Sequence, residues 1–73
     1  MEFIKVIFPD DCPVYIDGEF NGATNEVLRV ESGTHVFTLD ATIACQPPSR
    51  TLAVDGTTVL EPLNIIFTRR RVV

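Results

Sequence analysis

The sequence predicts an all-β domain, an antiparallel two-sheet β-sandwich of about seven short strands, with a small closed β-barrel as the alternative. Three observations carry this. Apolar residues alternate with polar ones at period two in segment after segment, turn signals recur roughly every eight to twelve residues, and no stretch repeats at the helical period. With 73 residues the chain holds one core and not two. It reads as a single domain over residues 1–68 followed by a basic C-terminal tail over 69–73.

Phe3-Ile4-Lys5-Val6-Ile7-Phe8 is rich in β-forming residues, apolar on both faces and stopped by Pro9, which predicts a strand covered on both sides. Pro13 to Asp17 alternates, with Val14 and Ile16 pointing one way and Tyr15 the other. Asp17-Gly18 then supplies a tight hairpin turn, because Gly accepts the positive φ such a turn demands, and Glu19-Phe20-Asn21 pairs back. Gly22 and Thr24-Asn25 interrupt the chain before Val27 to Glu31, where Leu28 and Val30 face inward while Arg29 and Glu31 face water. Ser32-Gly33 turns into a strand with His35, Phe37 and Leu39 on one face. Ala41 to Ser49 has little periodicity and contains Pro47-Pro48, so it reads as a strand fraying into an extended surface loop. Leu52 and Val54 point inward from the next strand. Asp55-Gly56 is a second hairpin signal, into a return strand over Thr58 to Glu61 that Pro62 ends. Ile65, Ile66 and Phe67 form the last apolar run.

Charge narrows the function. The net charge is −4, but residues 1–68 carry Lys5, Arg29 and Arg50 against all ten carboxylates, 3 − 10 = −7, and Arg69, Arg70 and Arg71 make up the difference. An acidic body repels phosphate backbones, and specific duplex binders neutralise roughly six to ten phosphates, so nucleic acid is not an expected partner. The triple-arginine end reads as a solvated or locally paired terminus. No run reaches the length of a transmembrane segment and no cleavage-site pattern follows the first apolar run, so with Met1 as the native start the expected location is the cytoplasm. Cys12 and Cys45, with one His35, are too few for a structural zinc. They are expected as buried free thiols, with a disulfide as the alternative.

Neither catalysis nor a cofactor is expected. His35 with a cysteine is the one conceivable nucleophile and base pair, but its register with Phe37 and Leu39 makes it a half-buried strand residue bonded to a local carbonyl. Ser32 lacks a nucleophile-elbow context. Asp10, Asp11, Asp17 and Glu19 crowd two loops without a calcium-loop pattern, and carboxylates flanking turns mostly face solvent. Tyr15 and Phe20 flank the first hairpin and form a candidate contact patch, for protein or for sugar, unless Phe20 merely caps its own turn. The two runs apolar on both faces require cover. Phe3, Ile4, Val6, Phe8, Ile65 and Phe67 are therefore the candidate interface of a homo-oligomer, most simply a dimer, unless the runs pair with each other inside one sheet.

Pro9-Asp10-Asp11-Cys12-Pro13-Val14-Tyr15-Ile16-Asp17-Gly18 resembles the signature of PEGA domains, a Pro-Glu-Gly-Ala segment leading into a strand and an Asp-Gly turn. Gly22-Ala23-Thr24, Val27 to Val30, Ser32 to Phe37 and Leu52-Ala53-Val54-Asp55-Gly56 follow in that family's order, so the likeness spans roughly residues 9–63. It departs from the pattern at Asp11 and Cys12, at Asn25 where Pro is usual, and after Asp40, where a Gly-Tyr pair is missing. The resemblance implies a β-sandwich module of bacterial and archaeal surface or envelope-associated proteins, without enzymatic activity. It implies a protein-protein interaction or scaffold role, with carbohydrate or envelope-ligand binding as the alternative. It transfers Asp17 and Gly18 only as a turn.

Overall fold

The period-two segments resolve, in a computed structural model that describes residues 1–70, into nine strands: β1 (Glu2–Ile7), β2 (Pro13–Ile16), β3 (Glu19–Ala23), β4 (Val27–Val30), β5 (Gly33–Leu39), β6 (Cys45–Gln46), β7 (Arg50–Val54), β8 (Leu63–Ile66) and β9 (Thr68–Arg69). The described residues are all-β. A three-stranded sheet in the order β4-β1-β8 faces a four-stranded sheet in the order β3-β2-β5-β7, and β6 and β9 form a short ribbon at one end. Side chains of one parity fill the space between the sheets. Ile4, Val6, Leu28, Val30 and Ile65 come from the smaller sheet and Val14, Ile16, Phe37, Leu39 and Val54 from the larger, as alternation dictates for a half-buried strand.

The two doubly apolar runs meet each other. β1 is the middle strand of its sheet, antiparallel to β4 and parallel to β8, with Val6 opposite Ile65 and Ile7 opposite Ile66. This corrects the expected oligomer interface. Ile4, Val6 and Ile65 are fully buried, and Phe8 and Phe67 are 3% and 1% exposed, because β4 and β8 flank β1 and the second sheet covers its inner face. Of the six residues only Phe3 reaches the surface.

The return strand after Asp55-Gly56 is also corrected. Gly56 takes a φ of 68°, but the chain leaves the larger sheet there and crosses to the smaller one, so β7 gains no hairpin partner. Thr57 is stapled instead to the start of β1: its N–H and hydroxyl both donate to Glu2 Oε1, and its Oγ1 accepts the Phe3 N–H at 2.7 Å. Thr58 to Glu61 closes on itself, each end donating its N–H to the other's carbonyl. Val59 and Leu60 at its tip are 57% and 90% exposed.

The boundary expected between residues 68 and 69 falls inside β9. Arg69 lies in β9, opposite Cys45, and its guanidinium meets Asp10 at 2.6 Å, so the locally paired form of the terminus applies to it. Arg70 donates its backbone N–H to the Ala44 carbonyl, while Arg71 lies outside the described residues. The fraying loop over Ala41 to Ser49 keeps only β6 as strand. Cys12 and Cys45 are buried free thiols.

Candidate functional site

The β2–β3 hairpin is built from its turn outward. Asp17 and Gly18 take φ of 54° and 83°, the pair of left-handed conformations that a two-residue turn between twisted strands requires, and Ile16 and Tyr15 pair with Glu19 and Phe20. A bulge follows, so that Val14 pairs with Gly22 and Asn21 stands unpaired. Asp17 is held tightly for a residue in a turn. Its N–H donates to the Val36 carbonyl at 2.8 Å, and its Oδ1 accepts the Val36 N–H at 2.9 Å.

His35, expected as a half-buried strand residue bonded to a local carbonyl, has that bond and one more. Nε2 lies 2.7 Å from the Glu31 carbonyl oxygen and Nδ1 lies 2.6 Å from Asp17 Oδ2. The Asp17 carboxylate raises the His35 pKa above its ordinary 6.5, the Glu31 carbonyl adds to this, and burial works against it. The same imidazole, with the Val36 N–H, lowers the Asp17 pKa. Both ring nitrogens are thus spent on oxygen partners. Burial pushes the Cys12 thiol up, and the carboxylates of Asp10, Asp11 and Asp40 add to the effect, while burial raises Cys45 as well. Raised thiol pKa values leave little thiolate.

Tyr15 and Phe20 pack edge to face across the hairpin, with centroids 6.1 Å apart and rings at 72°. Tyr15 is half-buried and Phe20 is 67% exposed. Phe20 stands between two hollows. One, of about 400 Å³, is lined by Asp11, Cys12, Pro13, Gly22, Ala23 and Glu26. The other, of about 280 Å³, runs past Ile16 and Val30 to His35. The wall of the first is pinned by Thr24, which is 1% exposed: its hydroxyl donates to the Asp10 carbonyl at 2.7 Å and accepts the Cys12 N–H at 2.9 Å.

Three of the four loop acids weighed as calcium ligands have separate partners. Asp10 meets Arg69, Asp11 accepts from Asn25 Nδ2, and Asp17 is taken by His35 and Val36. Among the described residues no group of three or more potential ligands could hold a metal ion. Asp55 accepts the N–H of Gly56, an ordinary turn role. No helix of the described residues is long and apolar enough to cross a membrane.

Single-residue reasoning missed two features. The first is the exposed Val59-Leu60 tip, hidden by its strand-like sequence. The second is a segregation of charge. All ten carboxylates lie in turns, in loops or at the first residue of a strand, so the outer faces of both sheets are free of acids. The register puts Tyr15, Phe20, Thr34, Val36, Thr38 and Thr51 on the outer face of the larger sheet, none of them charged. Phe3, Ile7, Val27 and Ile66 share the other outer face with Lys5 and Arg29.

No family model matches the chain, and neither does any curated protein or solved structure. The fold and this surface define a small all-β domain with one exposed aromatic hairpin.

Proposed function

We propose that this domain is a non-catalytic, PEGA-like interaction module that makes protein-protein contacts through the β2–β3 hairpin. The observation that supports this best is Phe20: a large aromatic ring 67% exposed, held by Tyr15 on an uncharged sheet face and bordered by an apolar hollow. Aromatic side chains presented rigidly against a pocket are the usual anchors of protein interfaces. The acid-free faces add to this, because an acidic body gives a partner its least repulsive approach there. A second copy of the chain is one partner within this reading, through the outer residues of the sheets and not through the core runs. Carbohydrate binding, the alternative, gains less from the geometry, since rings at 72° to each other offer no common stacking platform.

Phe20→Ala tests the reading. The variant is compared with the parent in sedimentation equilibrium across the micromolar range, in affinity for proteins cross-linked to the parent and then purified, and in denaturation. Loss of association with unfolding free energy kept within about 0.5 kcal/mol, as for an ordinary surface change, fits a contact residue. A destabilised hairpin with all associations intact makes Phe20 a cap and removes the proposal. Binding to an oligosaccharide panel that depends on Tyr15 selects the alternative.

A further inference from the structure

Both ring nitrogens of His35 face oxygens that have no proton to give. Nδ1 is 2.6 Å from Asp17 Oδ2 and Nε2 is 2.7 Å from the Glu31 carbonyl oxygen. A carboxylate and a backbone carbonyl only accept, and a neutral imidazole has a single N–H, so only the imidazolium makes both bonds. We propose that His35 is a proton-loaded clamp: doubly protonated, it ties the β2–β3 turn to the β4–β5 turn, and loss of one proton frees the Glu31 end and releases the β4–β5 turn from the hairpin that presents Phe20. The consequence for Phe20 as a contact rests on the reading given above; the clamp itself does not.

The geometry indicates which end lets go. Asp17 is charged, is fixed by the Val36 N–H and is the stronger acceptor, so the remaining proton stays on Nδ1. Nε2 then turns a lone pair toward the Glu31 carbonyl, and that contact becomes repulsive. Glu31 directly follows β4 of the smaller sheet, whereas Asp17 begins the turn between β2 and β3 of the larger, so the clamp crosses from one layer to the other. Ile16, Phe20 and Val30 line the hollow beside the ring, which joins the clamp to the contact patch.

The groups facing His35 determine the direction. Asp17 and Glu19 stand on the hairpin, Glu31 and Arg29 on β4 and the turn after it, and Met1 lines the hollow ahead of β1. The Phe37 ring lies edge-on at 6.2 Å on the same strand. The Asp17 and Glu31 carboxylates favour the imidazolium and burial opposes it, and the carboxylate in direct contact dominates. The folded-state pKa is accordingly raised from 6.5. A raised pKa means the clamp's stabilisation is fully present below 6.5 and is lost as pH rises through the folded value. For Asp17, lowered from 3.8, the contribution is present above 3.8 and is lost as pH falls through its folded value. The clamp therefore holds from below 3.8 to above 6.5.

The test is an NMR titration of the intact isolated chain, which needs no partner. With nitrogen-15 in the imidazole, both ring nitrogens should show protonated shifts well below pH 6.5 and titrate with one midpoint above 6.5, leaving the Nδ1–H tautomer. The Glu31 carbonyl carbon and the Phe20 ring resonances should shift with that same midpoint, and in Asp17→Asn the midpoint should fall. A His35 midpoint at or below 6.5, or an Nε2–H tautomer, overturns the clamp. A Glu31 carbonyl or Phe20 ring that ignores the titration overturns the coupling between the turns. None of these outcomes depends on whether Phe20→Ala loses a partner, so the two proposals fail separately.

Discussion

Gly22→Ala probes the seam where the two sheets meet at their edges. An ideal Cβ on Gly22 would lie 2.5 Å from Leu28 Cδ2, closer than side-chain carbons approach, with Leu28 Cδ1 and Cγ both at 3.6 Å. Gly22 lies outside the left-handed region, so the penalty is steric and not conformational. Leu28 is itself in the core at 9% exposure, which limits how far it can swing away. Overpacking of this kind costs about 1–3 kcal/mol, and replacing Gly by Ala returns about 0.4–1 kcal/mol through the unfolded chain. The net loss is then up to about 2.5 kcal/mol, worth about 4–8 °C in Tm for each kcal/mol in a domain of this size. Leu28→Ala alone should cost about 2–3 kcal/mol, the lower part of the range for buried leucines. With Leu28 truncated the clash disappears, and Gly22→Ala should become stabilising by about 0.4–1 kcal/mol. Urea denaturation of the four proteins should therefore give a coupling free energy of about 1–3 kcal/mol. Strict additivity would show that the edges of β3 and β4 do not press on each other in solution.

Two further changes test the loop that walls the hollow and the thiol beneath it. Thr24→Val keeps the shape but strands the Cys12 N–H and the Asp10 carbonyl, so it should cost about 1–3 kcal/mol in denaturation, while Thr24→Ser should stay near the parent; equal stability of all three would mean that water replaces the hydroxyl. Cys12 and Cys45, buried and pushed toward higher pKa, should react with a disulfide reagent far more slowly in native buffer than in denaturant, and stoichiometric labelling within seconds at neutral pH would contradict their placement.

What was legible in the sequence is what local chemistry decides. Asp17-Gly18 declares its turn because few residue pairs accept two positive φ angles in succession, and Leu28, Val30, Phe37, Leu39 and Val54 declare their direction by parity. Asp55-Gly56 carries the same dipeptide and misleads, because a turn residue states that the chain bends and not which sheet it bends into. The parallel pairing of β1 with β8 was likewise out of reach as a firm reading. Nothing near Ile65 in sequence names Val6 as its neighbour, and only the crossover after β7 brings them together. His35 shows both sides. Its face was set by alternation, but Asp17 stands 18 residues away and reaches it only through the register of β2 on β5. The segregation of the acids was readable in principle, since each one flanks a Gly, Pro, Asn or strand boundary, and becomes informative only once the outer faces are known.

Asn25 stands at a position that no proline could fill. Its φ of 64° is closed to proline, whose ring holds φ near −65°. In that conformation Asn25 does for β1 what a neighbouring strand would do. Its N–H donates to the Val6 carbonyl at 2.7 Å, its Nδ2 donates to the Phe8 carbonyl at 2.9 Å, and its Oδ1 accepts the Phe8 N–H at 3.3 Å. The strand end left open by Pro9, which has no N–H to give, is closed by one side chain. The adjacent Thr24 then fixes Asp10 and Cys12 through its hydroxyl and takes a further backbone bond from its own N–H to the Cys12 carbonyl at 2.9 Å. Asp11, Cys12 and Pro13 wall the hollow beside Phe20, so the bonds that terminate the core strand also set the shape of the proposed contact surface. A substitution at Asn25 should for that reason act on the surface and the core together, whereas one at Phe20 acts on the surface alone.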